Sequence, residues 1–145
     1  MVDLLIFQNT APSGERLLSL RFANLITTGI QKLAQTFTYL FLTAQGSVAT
    51  APDIGTGFLP AVQSGALIDE ASLNNQFKFD ADKVRRSMIA TARASNLPAD
   101  ETLASVALQG FMLDKASSLL KLSVRLTSAA GVSWILYLPI PTVIR

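Results

Sequence analysis

The 145-residue sequence predicts an α+β fold in which two main helices pack on a C-terminal three-stranded antiparallel sheet. Three observations carry this. Ile30, Leu33, Ala34, Phe37, Leu40 and Phe41 recur at steps of three and four, the spacing of one helix face. Leu120, Leu122, Val124 and Leu126 alternate with Lys121, Ser123, Arg125 and Thr127, the pattern of a strand with one wet face. After a Ser-Ala-Ala-Gly turn at 128–131, Val132, Trp134, Leu136, Leu138 and Ile140 alternate again. The chain reads as a single domain over 1–145: an N-terminal extension or hairpin (1–24), a helical part (29–95) and the sheet (103–140).

In chain order, Leu4–Phe7 is a short apolar run that suits a strand, and Thr10-Ala-Pro-Ser-Gly14 is turn chemistry. Leu18, Leu20 and Phe22 alternate with Ser19 and Arg21, a second strand and so a loose hairpin. Thr27 or Thr28 is placed to cap a helix over Gly29–Thr43. A small-residue loop follows, punctuated by Gly46, Pro52, Gly55 and Gly57, and Phe58 and Leu59 are apolar enough to pin it down. Asp69–Asn75 suits a short helix that Asn74-Asn75 would end. Asp80 or Asp82 would then cap a second long helix, Ala81–Ser95, with Val84, Met88, Ile89 and Ala92 on its apolar stripe. Leu97-Pro98 closes it, since a residue before proline is pushed out of the α region. Ala104, Val106, Leu108 and Gly110 form the inward row of the first sheet strand, and Asp114–Ser118 turns into the second.

Composition removes several kinds of chemistry. With neither cysteine nor histidine, the chain has no disulfide, thiolate, Cys/His zinc site or imidazole base. A net charge of +2 without a dense Lys/Arg run argues against nucleic acid as a partner. No run reaches the roughly 18 to 20 apolar residues of a membrane-spanning helix. Yet half the residues are apolar and only 15% are charged, against about 25% charged in ordinary soluble domains. That surplus of apolar surface points to permanent contact with other protein chains. The tail Pro139-Ile-Pro-Thr-Val-Ile144 is extended and apolar, and a neighbouring chain or the domain itself must cover it.

No catalytic constellation emerges. Carboxylates adjoin at Asp69/Glu70, Asp80/Asp82 and Asp100/Glu101, but as caps and exposed turns rather than as a pair flanking a cleft. No serine has a histidine partner. Pro52, Gly55, Thr56, Gly57 and Phe58 belong to a structural loop, because PDIGTGF lacks the phosphate-loop spacing. Lys83, Arg85, Arg86 and Arg93 form a basic helix face without aromatic interleaving. No cofactor and no metal are expected.

The order of parts, with its particular words, supplies a resemblance. QKLAQTFTYLFLT, PDIGTGF, ADKVRRSMIATARAS, LKLSVRLTS and VSWILYLPIP together resemble the sheath initiators, baseplate wedge proteins of contractile-tailed phages historically labelled lysozyme-like. The likeness runs over about Ile30 to Ile140. It implies a virion protein of the tail baseplate, assembled in the host cytoplasm, that rings the tail tube as six copies and templates the sheath. Its implied partners are sheath subunits, the tail tube and other wedge proteins, joined by shared strands. On this sequence the implied strand-sharing residues are Leu120, Leu122, Val124, Leu126, Trp134, Leu136, Leu138 and Ile140. The family commonly carries Glu-Pro-Arg between the second helix and the sheet, where this chain reads Asn96-Leu-Pro-Ala-Asp-Glu101. The expected wedge contacts are therefore Arg93, Pro98, Asp100 and Glu101. Another wedge or tail component of similar layout is the alternative, and a carboxylate-dependent cell-wall hydrolase a remoter one.

Overall fold

A computed structural model describes residues 7–9, 16–18, 28–67 and 69–142. In chain order these form β1 (Phe7–Asn9), β2 (Arg16–Leu18), α1 (Gly29–Leu42), α2 (Phe58–Gln63), α3 (Glu70–Ser95), β3 (Leu103–Asp114), β4 (Leu119–Ser128) and β5 (Ser133–Pro141). The strands β3, β4 and β5 make one antiparallel sheet in that spatial order, and the helices pack on one of its faces. The fold is α+β. Strands β1 and β2 pair antiparallel as a separate hairpin, with β2 close to β5. The remainder of the two expected N-terminal strands, Leu4–Ile6 and Ser19–Phe22, lies outside the described residues.

The apolar stripe of α1 faces the core as its spacing requires. Leu33, Ala34, Phe37 and Phe41 are buried, while Ile30 and Leu40 pack at the margin. Phe41 is the hub of an aromatic cluster, with ring centroids 5.4 Å from Phe37, 4.9 Å from Phe58 and 5.3 Å from Phe77. Such stacked and tilted contacts add to the burial itself.

Both ends of α1 are completed by remote chain. Thr28 occupies the N-cap position, but its side chain makes no capping bond. Instead the Gly29 N–H donates to Glu101 Oε1 at 3.2 Å, and Lys32 Nζ donates to Glu101 Oε2 at 2.8 Å. A carboxylate is well suited here, because unpaired N–H groups give a helix start positive character. At the other end, the buried Thr56 hydroxyl donates to the Phe41 carbonyl at 2.6 Å and accepts from the Phe58 N–H at 3.3 Å. The Thr56 N–H donates to the Thr43 carbonyl at 2.8 Å. The glycine-rich loop therefore folds back to satisfy carbonyls that the helix leaves unpaired. Gly55 permits this: its φ is 99°, and a Cβ there would stand 2.3 Å from the Thr43 carbonyl oxygen.

The helical middle differs from the sequence expectation. Asn74-Asn75 does not end a short helix, and neither Asp80 nor Asp82 caps the second long helix, because α3 runs unbroken for 26 residues. Its cap is Asp69, which accepts from the Ser72 N–H at 2.7 Å. The buried stripe Leu73, Phe77, Ala81, Val84, Met88 and Ala92 outweighs the weak helix propensity of two asparagines. Asp80 is buried inside the helix, accepting from Gln76 Nε2 at 2.7 Å. The helix stops at Asn96, in the left-handed region at φ 51°, two residues before Pro98. Phe58 does pin the loop, but as the first residue of α2, where Pro60 in the first turn sacrifices no helical bond.

In the sheet, β4 and β5 follow their alternation, with Leu120, Leu122, Val124, Leu126, Leu136, Leu138 and Ile140 buried. Val132 lies before β5 and is exposed. In β3 the expected inward row is wrong at both ends. Ala104 is exposed, and Phe111 rather than Gly110 packs on the core. Register shifts between Leu103 and Ser105, and between Leu108 and Gly110, each insert a residue and reset which side chains face in.

Candidate functional site

The features available to a partner are the two margins of the sheet and its uncovered face. Strand β4 is hydrogen-bonded on both sides, to β3 and to β5, so it offers no backbone to another chain. Leu120, Leu122, Val124 and Leu126 are core residues, as are Leu136, Leu138 and Ile140, with Trp134 packed beside them. Their side chains are enclosed by this chain's own helices. An added strand must use the backbone of an outer strand, which is open to Trp134, Leu136, Leu138 and Ile140 on β5 but not to the four residues of the central strand β4.

The two outer strands differ. On β5, Pro139 stands opposite Lys121 and Pro141 opposite Leu119, and neither proline has an N–H to offer. The β1–β2 hairpin also approaches that side. Strand β3 is 12 residues long and contains no proline. Among the described residues, no backbone hydrogen bond joins 104–113 to anything but β4. Along this margin lies a groove of about 310 Å³, between Lys78, Ala81, Asp82 and Arg85 of α3 and Val106, Ala107 and Leu108 of β3. Consecutive strand residues point to opposite faces, so a groove touching all three runs along the strand's edge.

The uncovered face of the sheet carries Met112, Ile135 and Tyr137, which are 58%, 41% and 40% exposed. The register sets Met112 beside Lys121, Ile135 beside Arg125 and Tyr137 beside Ser123. This is a mixed surface of apolar and polar side chains. Phe79 on α3 is 70% exposed, next to Lys78.

The expected wedge contacts separate into two groups. Arg93, Pro98 and Asp100 are exposed near the end of α3 and in the loop after it. Glu101 is committed internally to Gly29 and Lys32, and its carboxyl is held below the usual range chiefly by the Lys32 hydrogen bond.

Among the described residues, Asp69, Asp80, Asp82 and Glu101 of the adjoining carboxylates are engaged within the chain. Asp69 caps α3, Asp80 is locked to Gln76, and Asp82 accepts from both Arg85 and Arg86. Asp69 is shifted downward by the Ser72 backbone N–H, Asp82 by Arg85 and then Arg86, and Asp114 by Ser117. A general acid needs the opposite shift. Among the described residues, no helix is long and apolar enough to cross a membrane.

No protein-family model matches the chain, and no curated protein matches it. Among solved structures, one from Geobacter sulfurreducens, provisionally described as a tail lysozyme, superimposes with a TM-score of 0.52. The likeness covers 83% of this chain and 96% of that one, at 16% identity. The two proteins share a fold. Because nearly the whole of the tail-lysozyme chain takes part, the likeness concerns an entire architecture rather than one motif.

The β3 margin and the groove beside it were missed by sequence reasoning, which favoured β4 and β5. Residue alternation shows which face of a strand is wet but not where the strand sits in the sheet. One signal was present: Pro139 and Pro141 mark β5 as an outer strand with a blunted side.

Proposed function

We propose that this chain is a structural protein of a contractile phage tail, a baseplate component of the sheath-initiator type. It rings the tail tube and templates the first sheath layer by accepting strands from neighbouring chains, without catalysing a reaction. Its place is the virion tail baseplate, after assembly in the host cytoplasm, and its partners are sheath subunits, tube and wedge proteins. The observation that carries this reading is the open β3 margin, a long strand with unshared backbone groups beside a groove. Strand addition to such an edge gives strong, repeatable attachment through main-chain hydrogen bonds. The resemblance of the helix, loop and strand words to sheath initiators supports it, as does the fold shared with the Geobacter tail protein.

Cryo-electron microscopy of the native particle tests the proposal. A ring of copies around the tube, each with a foreign strand beside β3, is expected. Copies with that margin empty would overturn strand sharing there, and absence from the baseplate would overturn the assignment as a whole. A cell-wall hydrolase, the activity that the neighbour's description names, makes a separate prediction. Clearing of cell-wall substrate by the purified chain, abolished by Asp69→Asn or Asp80→Asn, would replace the structural role with an enzymatic one.

A further inference from the structure

Resting on the strand-sharing reading, we infer that the segment received at β3 is acidic, with carboxylates on the side that faces α3. A strand laid along 106–108 projects alternate side chains toward the helix flank that bounds the groove. That flank offers Lys78 and Arg85. Lys78 is exposed and, among the described residues, has no hydrogen-bond or ion-pair partner. Arg85 gives Nε–H and one Nη2–H to Asp82 Oδ1, at 3.3 and 2.9 Å. A guanidinium has five N–H donors, so three remain for another acceptor. Asp82 is the one acid on this flank, and Arg86 also holds it. Lys78, Arg85 and Arg86 against Asp82 give this helix flank +2, as much as the net charge of the whole chain, while Lys83 turns away to the Gly55 carbonyl.

The spacing suits a strand. Lys78 and Arg85, seven residues apart, are separated by about 10 Å along the helix axis. A strand covers that distance in about three residues, so acids two or four positions apart reach one cation each. Nucleic acid fits poorly, because the chain has a net charge of only +2 and no dense Lys/Arg run to follow a phosphate backbone. The groove walls also include Ala81, Val106 and Leu108, which favour a polypeptide with small or apolar side chains between its acids.

Labelled peptides of alternating Thr and Glu, Thr and Gln, or Thr and Lys, titrated into the full chain by fluorescence anisotropy, test this. Binding in the order Glu, Gln, Lys is expected, with the Glu peptide weakened by 0.5 M salt. Lys78→Glu, which breaks no hydrogen bond or ion pair among the described residues, should weaken the Glu peptide about tenfold and favour the Lys peptide. Arg85→Gln should act in the same direction. Equal binding of all three peptides would leave strand sharing standing and overturn the acidic partner. Binding of none would overturn strand sharing at β3 and this inference with it. Glu-peptide binding indifferent to Lys78→Glu would place the acid elsewhere and overturn the assignment. Dimerisation of the chain strengthened by Lys78→Glu would give the groove to a second copy, with the same consequence.

Discussion

Glu101 joins two parts of the chain through one carboxylate, which accepts from the first residue of α1 and from Lys32. Because folding lowers its pKa below the ordinary 4.5, its contribution is complete above that value. It is lost as pH falls through the lower, folded value. Glu101→Gln should therefore cost about 1 to 2 kcal/mol at neutral pH, and the gap from the parent should shrink in acid. Denaturant titrations at pH 7 and pH 3 measure both; a gap independent of pH would refute the assignment. Thr56 makes the equivalent contribution at the other end of α1. Thr56→Val keeps the side-chain volume but leaves the buried Phe41 carbonyl without its donor, for a loss of about 1 to 3 kcal/mol. Gly55→Ala should destabilise by more than about 1 kcal/mol, since its Cβ meets backbone and its φ is positive. Thermal unfolding of both variants checks these values.

At the level of elements, the aromatic cluster ties α1, α2 and α3 together through Phe41, Phe58 and Phe77. Phe77→Ala should cost about 3 to 5 kcal/mol, read as a shift in the denaturation midpoint. The sequence made α1, β4 and β5 legible because burial there follows a single uninterrupted period. It concealed the first half of α3, where Asn74, Asn75, Asp80 and Asp82 resemble punctuation. The correct signal was the apolar series from Leu73 to Ala92, at steps of four, four, three, four and four. In β3 the bulges at Ala104 and Gln109 change phase mid-strand, which strict alternation cannot represent. The margins escaped for a different reason: whether a strand is central or outer depends on its neighbours, not on its own residues.

At the scale of the whole molecule, one face of the sheet packs on the core and, among the described residues, no element covers the other. Met112, Ile135 and Tyr137 are the large apolar side chains exposed there. Replacing Ile135 and Tyr137 together by lysine should reduce self-association of the purified chain while changing stability by only about 0.5 kcal/mol for each residue. Sedimentation velocity across a concentration series gives the first quantity and thermal unfolding the second. Unchanged association would remove this face from consideration as a sticky surface.

The bond from Gly29 to Glu101 spans 72 positions. A ribosome adding about 5 to 20 residues per second needs about 4 to 14 s to cover that interval, so the helix emerges long before its terminal acceptor exists. Closure of the start of α1 therefore waits until position 101 has been synthesised. Chains truncated before position 101 should stay protease-sensitive at α1, whereas the 145-residue chain should be resistant there.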